Sequence, residues 1–203
     1  MKLRSLYFVA ASMTSWTATA TVLNVPGEFA TIKAAVAAAA AGDTILIAPG
    51  TYNENSISIN KQNLTVASKF LTTNDSSYVN QTVLSGGGGT VFTTVVGSGA
   101  GFTLIGFKII NCSKPVVLND MASIKNNYIY DTGSDAISFE SDGYGYVGYN
   151  RIELAGDDAI DSDSKRAGGS LKVEYNIIRN SGDDGIEIRL YDFTGSAMTY
   201  ELN

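Results

Sequence analysis

Three stretches of this chain repeat one another, starting at Asn127, Asn150 and Asn176, so that the repeat lengths are 23 and 26 residues. A period in the twenties is typical of a solenoid, in which each repeat buries its apolar face on its neighbours. Besides the asparagines, the shared columns are Gly133/Gly156/Gly182, Asp135/Asp158/Asp184 and Ile137/Ile160/Ile186.

A fourth copy is predicted at the end of the chain. Residues 198–202 resemble residues 171–175, which precede Asn176, and Asn203 is the last residue. On this alignment the chain ends in mid-repeat without an end cap, and we expect it to be incomplete.

The N-terminus is typical of a secretory signal peptide. Lys2 and Arg4 are followed by a short apolar run over residues 6–13 and by the small-x-small site Ala18-Thr-Ala20. We therefore expect residues 1–20 to be removed, residues 21–203 to form one domain, and the protein to be secreted to the cell surface, periplasm or medium. A buried first helix is the alternative. The apolar run is too short to span a bilayer, so no membrane span is expected.

Composition excludes several classes of function. The net charge is −6, whereas nucleic-acid binding needs a basic surface, so no nucleic-acid partner is expected. The sequence contains no histidine, which excludes histidine-based catalysis or metal ligation by these residues. Cys112 is the only cysteine and is predicted to be a small buried residue. We expect a monomer.

Residues 31–41 are alanine-rich and predict one helix, ended by Gly42, that caps the N-terminal end of the stack. Short strands are predicted at 44–48, 56–59, 64–67, 91–96 and 102–110. Residues 49–52 read as a turn, and residues 72–90 as a protruding loop with one embedded strand. No further helix is expected.

Residues 30–54 combine this helix with Gly42-Asp-Thr-Ile45 and Pro49-Gly-Thr-Tyr-Asn-Glu54. Together with the repeats, they resemble the pectin-lyase-like superfamily of right-handed parallel β-helix proteins. The resemblance covers residues 26–203 and implies an all-β solenoid with an N-terminal capping α-helix. It is weak for activity, because that superfamily holds lyases, hydrolases, esterases, tailspikes and adhesins. The histidine-containing motifs of its pectate lyases and polygalacturonases do not occur here.

Alternation along the repeat strands predicts two outward columns, Ser138/Asp161/Glu187 and Glu140/Asp163/Arg189. Their stacked carboxylates would repel one another. Three outcomes would relieve this: a hard cation could bind, one carboxyl could take a raised pKa, or the groups could diverge into water with Arg189 pairing Asp163.

Two candidate sites follow from these columns. Asp161, Asp163 and Glu187 are the candidate ligands of Ca²⁺, because the oxygen donors include no histidine or thiolate. Asp161, Glu187, Arg189 and Lys165 are the candidate catalytic residues of a lyase or hydrolase. Solvated charges without chemistry are the alternative for both sets.

The remaining columns favour structural roles. The aspartates of the Asp135 column are expected to bind nearby backbone amides in a turn, and the asparagines to form a ladder. Several tyrosines of the repeat half suit stacking on sugar rings, although aromatic residues are also common in strands. The sequence therefore predicts a secreted protein that acts on or binds an extended, acidic polysaccharide. The alternative is a non-catalytic, adhesin-like scaffold.

Overall fold

The computed structural model describes residues 19–189 and 198–203, in which short strands form three parallel sheets. Sheet A has eight strands: β1 Val22–Val25, β2 Thr44–Ile47, β5 Thr65–Ser68, β8 Phe102–Ile105, β11 Met121–Lys125, β14 Tyr144–Gly148, β17 Ser170–Glu174 and β20 Thr199–Leu202. Sheet B has six: β3 Gly50–Asn53, β6 Thr82–Ser85, β9 Lys108–Ile110, β12 Tyr128–Tyr130, β15 Arg151–Glu153 and β18 Ile177–Arg179. Sheet C also has six: β4 Ile57–Ile59, β7 Phe92–Thr94, β10 Val116–Leu118, β13 Ile137–Phe139, β16 Ile160–Ser162 and β19 Ile186–Ile188.

The chain visits sheets A, B and C in turn and then starts the next coil, and every strand pairs in parallel with its equivalent one coil away. This confirms the predicted parallel β-solenoid. The registers Ile137↔Ile160 and Ile160↔Ile186 also confirm the alignment of the three repeats. The predicted signal peptide lies largely outside the described residues. No helix among residues 19–189 and 198–203 is long and apolar enough to cross a membrane.

The interior is a set of aliphatic ladders. Ile137 and Ile160 are fully buried in one column, as is Phe139 two residues along its strand. Ile186, in the terminal strand of sheet C among the described residues, is half-buried. Burial of these side chains is the main stabilising term of such a fold, at about 1.5–3 kcal/mol each.

The N-terminal helix α1 spans Ile32–Ala38 and packs on β1, β2 and β4, with Ile32, Ala35 and Val36 buried. It ends before the predicted residue 41, because Ala39 is already extended. Gly42 does not cap it but takes a positive φ of 85° just before β2. The carboxylate of Glu54 accepts hydrogen bonds from the amides of Ile32 (2.8 Å) and Lys33 (2.9 Å). The Pro-Gly-Thr-Tyr-Asn-Glu segment thus holds the cap in place through its last residue.

Two parts of the predicted secondary structure are wrong. Residues 50–53 form strand β3 rather than a turn, because the corner is confined to Ala48 and Pro49, where the Tyr52 hydroxyl donates to the Ala48 carbonyl (2.9 Å). The predicted loop 72–90 contains helices α2 (Phe70–Thr73) and α3 (Ser77–Gln81) before β6. These helices pack on β5, β6 and β9, so tertiary contacts rather than local propensity maintain them.

The bend between sheets A and B is fixed by an asparagine ladder, as predicted. Asn150 Oδ1 accepts from the backbone amide (3.0 Å) and the side-chain amide (3.1 Å) of Asn127. Asn176 Oδ1 does the same for Asn150, with both distances 3.0 Å. The chain of bonds therefore ties each coil to the next at the same point of its path.

The alignment of the fourth repeat is wrong by two residues. Strand β20 pairs with β17 so that Tyr200 lies opposite Leu171, where the sequence comparison places Met198. Asn203 consequently lies one residue beyond the partner of Val173 and not in the asparagine ladder, and its backbone amide donates to the Val173 carbonyl (2.9 Å).

Candidate functional site

The predicted outward column Ser138/Asp161/Glu187 exists in the predicted register. Its members are less exposed than expected, since Ser138 is fully buried and Asp161 is only 4% exposed. Side chains from neighbouring coils cover the column: Lys114 reaches Ser138 Oγ at 3.5 Å on one side, and Arg189 lies beside Glu187 on the other. Asp161 therefore occupies a desolvated position at the surface of sheet C.

The two oxygens of Asp161 have different environments. Oδ2 accepts a hydrogen bond from Ser138 Oγ at 3.3 Å. Oδ1 is buried and has no hydrogen-bond partner among the described residues. Burial raises the pKa of Asp161 to about 7, the carboxylates of Asp163 and Asp135 add to the rise, and Arg189 and Ser138 oppose it. Asp161 is thus a carboxyl group that exchanges its proton close to neutral pH.

Asp161 belongs to an acidic cluster, which we define as Asp158, Asp161 and Glu187. One carboxylate oxygen from each lies within 4.8 Å of the others. Burial raises the pKa of Glu187, and the neighbouring Asp158 carboxyl adds to this rise against the opposing charge of Arg189. Asp135, Asp157 and Asp158 form an adjoining group with the same spacing. Three close carboxyls cannot all be ionised without a compensating proton or cation.

One cation lies beside each group of carboxyls: Lys114 beside the adjoining group, and Arg189 beside the acidic cluster. Lys114 Nζ lies 2.7 Å from Asp135 Oδ2 and 3.3 Å from Glu140 Oε1. The guanidinium of Arg189 lies 2.7 Å from Asp163 and 2.8 Å from Glu187, and its side chain is 53% exposed. The side chain of Arg189 therefore has one side exposed to solvent, and its other side is held by the carboxylates of Asp163 and Glu187.

The structure brings most of the predicted site residues together. Asp161, Glu187 and Arg189 lie in one group, and Asp163 is linked to it through Arg189. Asp163 therefore pairs with Arg189, as predicted for the case without a cation. The third carboxylate beside Asp161 and Glu187 is that of Asp158 rather than that of Asp163. Lys165 is exposed in the loop after β16, where its backbone amide donates to the Ser141 carbonyl (2.6 Å). Its role as a base stays a prediction.

The Asp135 column has a structural role that differs from the predicted one. Asp158 Oδ1 accepts from the backbone amide of Asp184 at 2.8 Å, and Asp135 Oδ1 from that of Asp158 at 3.4 Å. Each aspartate therefore binds the equivalent residue of the next coil rather than its own turn. Lys114, which the sequence analysis did not single out, stands at the start of this column, because Val116 pairs with Ile137.

The acidic cluster suits either of two chemical tasks. Asp161 can donate or accept a proton near neutral pH, with Glu187 as a neighbouring carboxyl for the opposite transfer. The unpartnered Asp161 Oδ1 also fits a hard cation such as Ca²⁺, since it is an oxygen donor without a proton donor, beside two further carboxylates. Comparison with protein-family models, curated proteins and solved structures finds no match for this chain. Fold and geometry alone therefore support the proposals that follow.

Proposed function

We propose that this protein is a secreted enzyme that cleaves an extended acidic polysaccharide lying on the outer face of sheet C. The observation that carries the proposal is Asp161, a carboxyl with a pKa of about 7 that is desolvated beside Glu187 and Asp158. A proton donor that is half-charged near neutral pH is well suited to acid–base catalysis, and a solvated surface carboxylate is not.

The two cations suggest how the substrate is recognised. A uronate carboxylate approaching from solvent would compete with Asp163 and Glu187 for the exposed guanidinium of Arg189. Moving Arg189 toward the substrate would uncover Asp161 and remove the charge that opposes its raised pKa. Binding of the acidic sugar would then itself expose Asp161 and favour its protonated form.

Asp161 and Glu187 take complementary roles in this proposal. In an elimination, Glu187 would accept the proton from the carbon next to the uronate carboxylate. Asp161 would give its proton to the leaving glycosidic oxygen as the carbon–oxygen bond breaks and a carbon–carbon double bond forms. In a hydrolysis, water would supply the new hydroxyl and Glu187 would accept its proton. The predicted Ca²⁺, with Asp161, Asp163 and Glu187 as its sequence-predicted ligands and Asp158 as a further oxygen donor, would neutralise the acidic cluster in place of these proton transfers, because a carboxylate that binds the ion cannot also carry a proton.

The test is an incubation of the protein with polygalacturonate, alginate and a neutral glucan, with and without calcium. New reducing ends report any cleavage, and ultraviolet absorbance of an unsaturated product reports elimination alone. Cleavage confined to the acidic polymers, lost in Asp161→Asn and retained in Asp131→Asn, is expected. Asp131 is an exposed carboxylate at another corner and has a φ of 57°, which asparagine tolerates. Equal activity of both variants would contradict the assignment of Asp161.

A non-catalytic scaffold is the second candidate, and one observation favours it. Asp135 and Asp158 already bind backbone amides of the following coils, so part of the acidic column is used to hold coils together. Absence of cleavage on all polymers, with Asp158→Asn lowering the melting temperature, would favour this candidate.

A further inference from the structure

A row of residues with left-handed backbone conformation runs along the bend after sheet A. In successive coils it consists of Gly106 (φ 88°), Asn126 (55°), Tyr149 (58°) and Tyr175 (55°). Glycine and asparagine adopt this conformation readily, whereas a tyrosine does so at a cost. Two consecutive coils therefore place a bulky residue where a small one would be easier to accommodate.

Burial of the two tyrosine side chains compensates little for this cost in backbone conformation. Tyr149 is 53% exposed and Tyr175 is 62% exposed. Their rings stack on one another, with centroids 4.9 Å apart and planes 21° from parallel. They present an aromatic platform to solvent outside the hydrophobic core. Backbone strain kept at an exposed aromatic pair indicates a role in binding rather than in packing.

A cleft opens beside this platform. Helix α2 brings Phe70 over Gly106, where even a Cβ atom would lie only 2.8 Å from Phe70 Cβ. Asn126 lies in the coil between Gly106 and Tyr149, and its short side chain leaves a notch between the two aromatic residues. Two adjoining cavities of about 270 and 470 Å³ meet here and share Phe70, Asn126 and Tyr149 as lining residues. Together they reach the size range of small-molecule sites.

The rest of the lining mixes apolar side chains with polar and basic ones. Asn74 and Asn80 of the α2–α3 insert line the cleft on one side, and Lys125 and Arg151 line it on the solenoid side. Arg151 also pairs with Glu153 at 2.9 Å, but half of its side chain stays exposed to a ligand. Amides offer a donor and an acceptor to vicinal hydroxyls, and the two cations suit a carboxylate. An aromatic platform suits the apolar face of a pyranose ring.

We propose that this cleft is a non-catalytic binding site for one or two rings of an acidic oligosaccharide. The Tyr149–Tyr175 platform holds the ring face, and Lys125 and Arg151 hold the uronate carboxylate. The site lies at the corner between sheets A and B, whereas the acidic cluster lies on sheet C. It anchors a polymer independently of any cleavage and does not depend on the proposed enzymatic activity.

The experiment is titration calorimetry with a galacturonic acid trisaccharide on the Asp161→Asn protein, which prevents consumption of the probe by that residue. Tyr149→Asn should weaken binding about tenfold, the loss expected for one aromatic stacking contact. Asparagine occupies the same bend at Asn126, so the melting temperature should be kept or raised. In the Tyr149→Asn protein with Asp161 restored, any cleavage of short soluble substrates should be unchanged.

Leu154→Asn is the matched control, since Leu154 is also an exposed apolar residue with a positive φ (56°), at a different bend. It should bind the trisaccharide as the parent does. No binding by the parent protein, or equal affinity in the Tyr149→Asn and Leu154→Asn variants, would overturn the proposal. Equal affinity for a neutral galactose trisaccharide would overturn the assignment to an acidic ligand. Loss of cleavage in Asp161→Asn without loss of binding is expected, so the two proposals fail separately.

Discussion

Replacement of Asp161 by asparagine should stabilise the protein, and more so as pH rises. The pKa of Asp161 is about 7 in the folded protein, against an ordinary value of 3.8. A carboxyl whose folded pKa is raised binds more protons in the folded state than in the unfolded state between these values. Its ionisation therefore destabilises the fold progressively from about pH 4 to pH 7, and the cost is complete above that range.

The magnitude follows from the same shift. Three pKa units correspond to at most about 4 kcal/mol. Partial hydration and adjustment of Arg189 and its neighbours reduce the expected cost to roughly 2 kcal/mol. Asparagine keeps the shape of the side chain and cannot ionise, so the variant avoids this cost. At about pH 5, Asp161 is ionised in the unfolded protein but largely protonated in the folded one, so part of this cost is already present, and the advantage of Asp161→Asn should be smaller at pH 5 than at pH 8.

The assay is urea unfolding of wild type and Asp161→Asn, followed by circular dichroism, at about pH 5 and pH 8. The difference between the two proteins at each pH isolates Asp161 from other titrating groups such as Glu187 and Asp157. Asp131→Asn is the control, because Asp131 is an exposed carboxylate at another corner, away from Asp161, and its removal should bring no gain. An Asp161→Asn effect of the same size at both pH values, or a loss that grows with pH, would refute the reasoning.

Three further results are expected. Calcium in excess should raise the melting temperature by mass action, and Asp161→Ala should abolish the rise. Identical melting curves with calcium and with chelator would contradict a cation site in the acidic cluster. Ile160→Asp should unfold the domain, because it places an unpaired charge in a fully buried ladder, and a normal melt would contradict the observed register. Glu54→Ala should cost about 1 kcal/mol in the free energy of unfolding, because it removes the acceptor at the start of α1. Urea unfolding measures this cost, and Lys33→Ala, which removes an exposed charge from the same helix and leaves that acceptor in place, is its control.

The repeat pattern was sufficient to predict the sheets and the register of the isoleucine ladder, because one inward residue recurs in each coil. It also identified Asp161, Glu187 and Arg189 as neighbours. The burial of Asp161 could not be predicted in this way, since it depends on the length and direction of covering side chains. Lys114 shares a column with Asp135, but Lys114-Pro115 does not resemble the glycine–aspartate pattern of the later coils.

The α2–α3 insert was missed for a different reason. Phe70–Thr73 and Ser77–Gln81 are short and contain β-branched and polar residues, and their N-cap residues Lys69 and Ser76 make no side-chain cap bond. Local propensity therefore favours a loop, and contacts with β5, β6 and β9 decide the outcome. The cleft beside Tyr149 is lined by this insert and could not be predicted for the same reason, although the sequence did single out the tyrosines.

The coils joined by the asparagine ladder differ in length at only one place among the described residues. From Asn127 to Ile137, from Asn150 to Ile160 and from Asn176 to Ile186 the distance along the chain is the same, so in these three coils the path from the ladder through sheet B to sheet C has a constant length. The extra residues of the longer repeat lie between β16 and β17, next to the acidic cluster, where the corresponding segment between β13 and β14 is shorter. In these three coils length therefore varies at the corner beside the acidic cluster, where a new loop could alter ligand recognition. The α2–α3 insert lengthens the corner between sheets A and B of an earlier coil in the same way, and in both cases the strands stay in register.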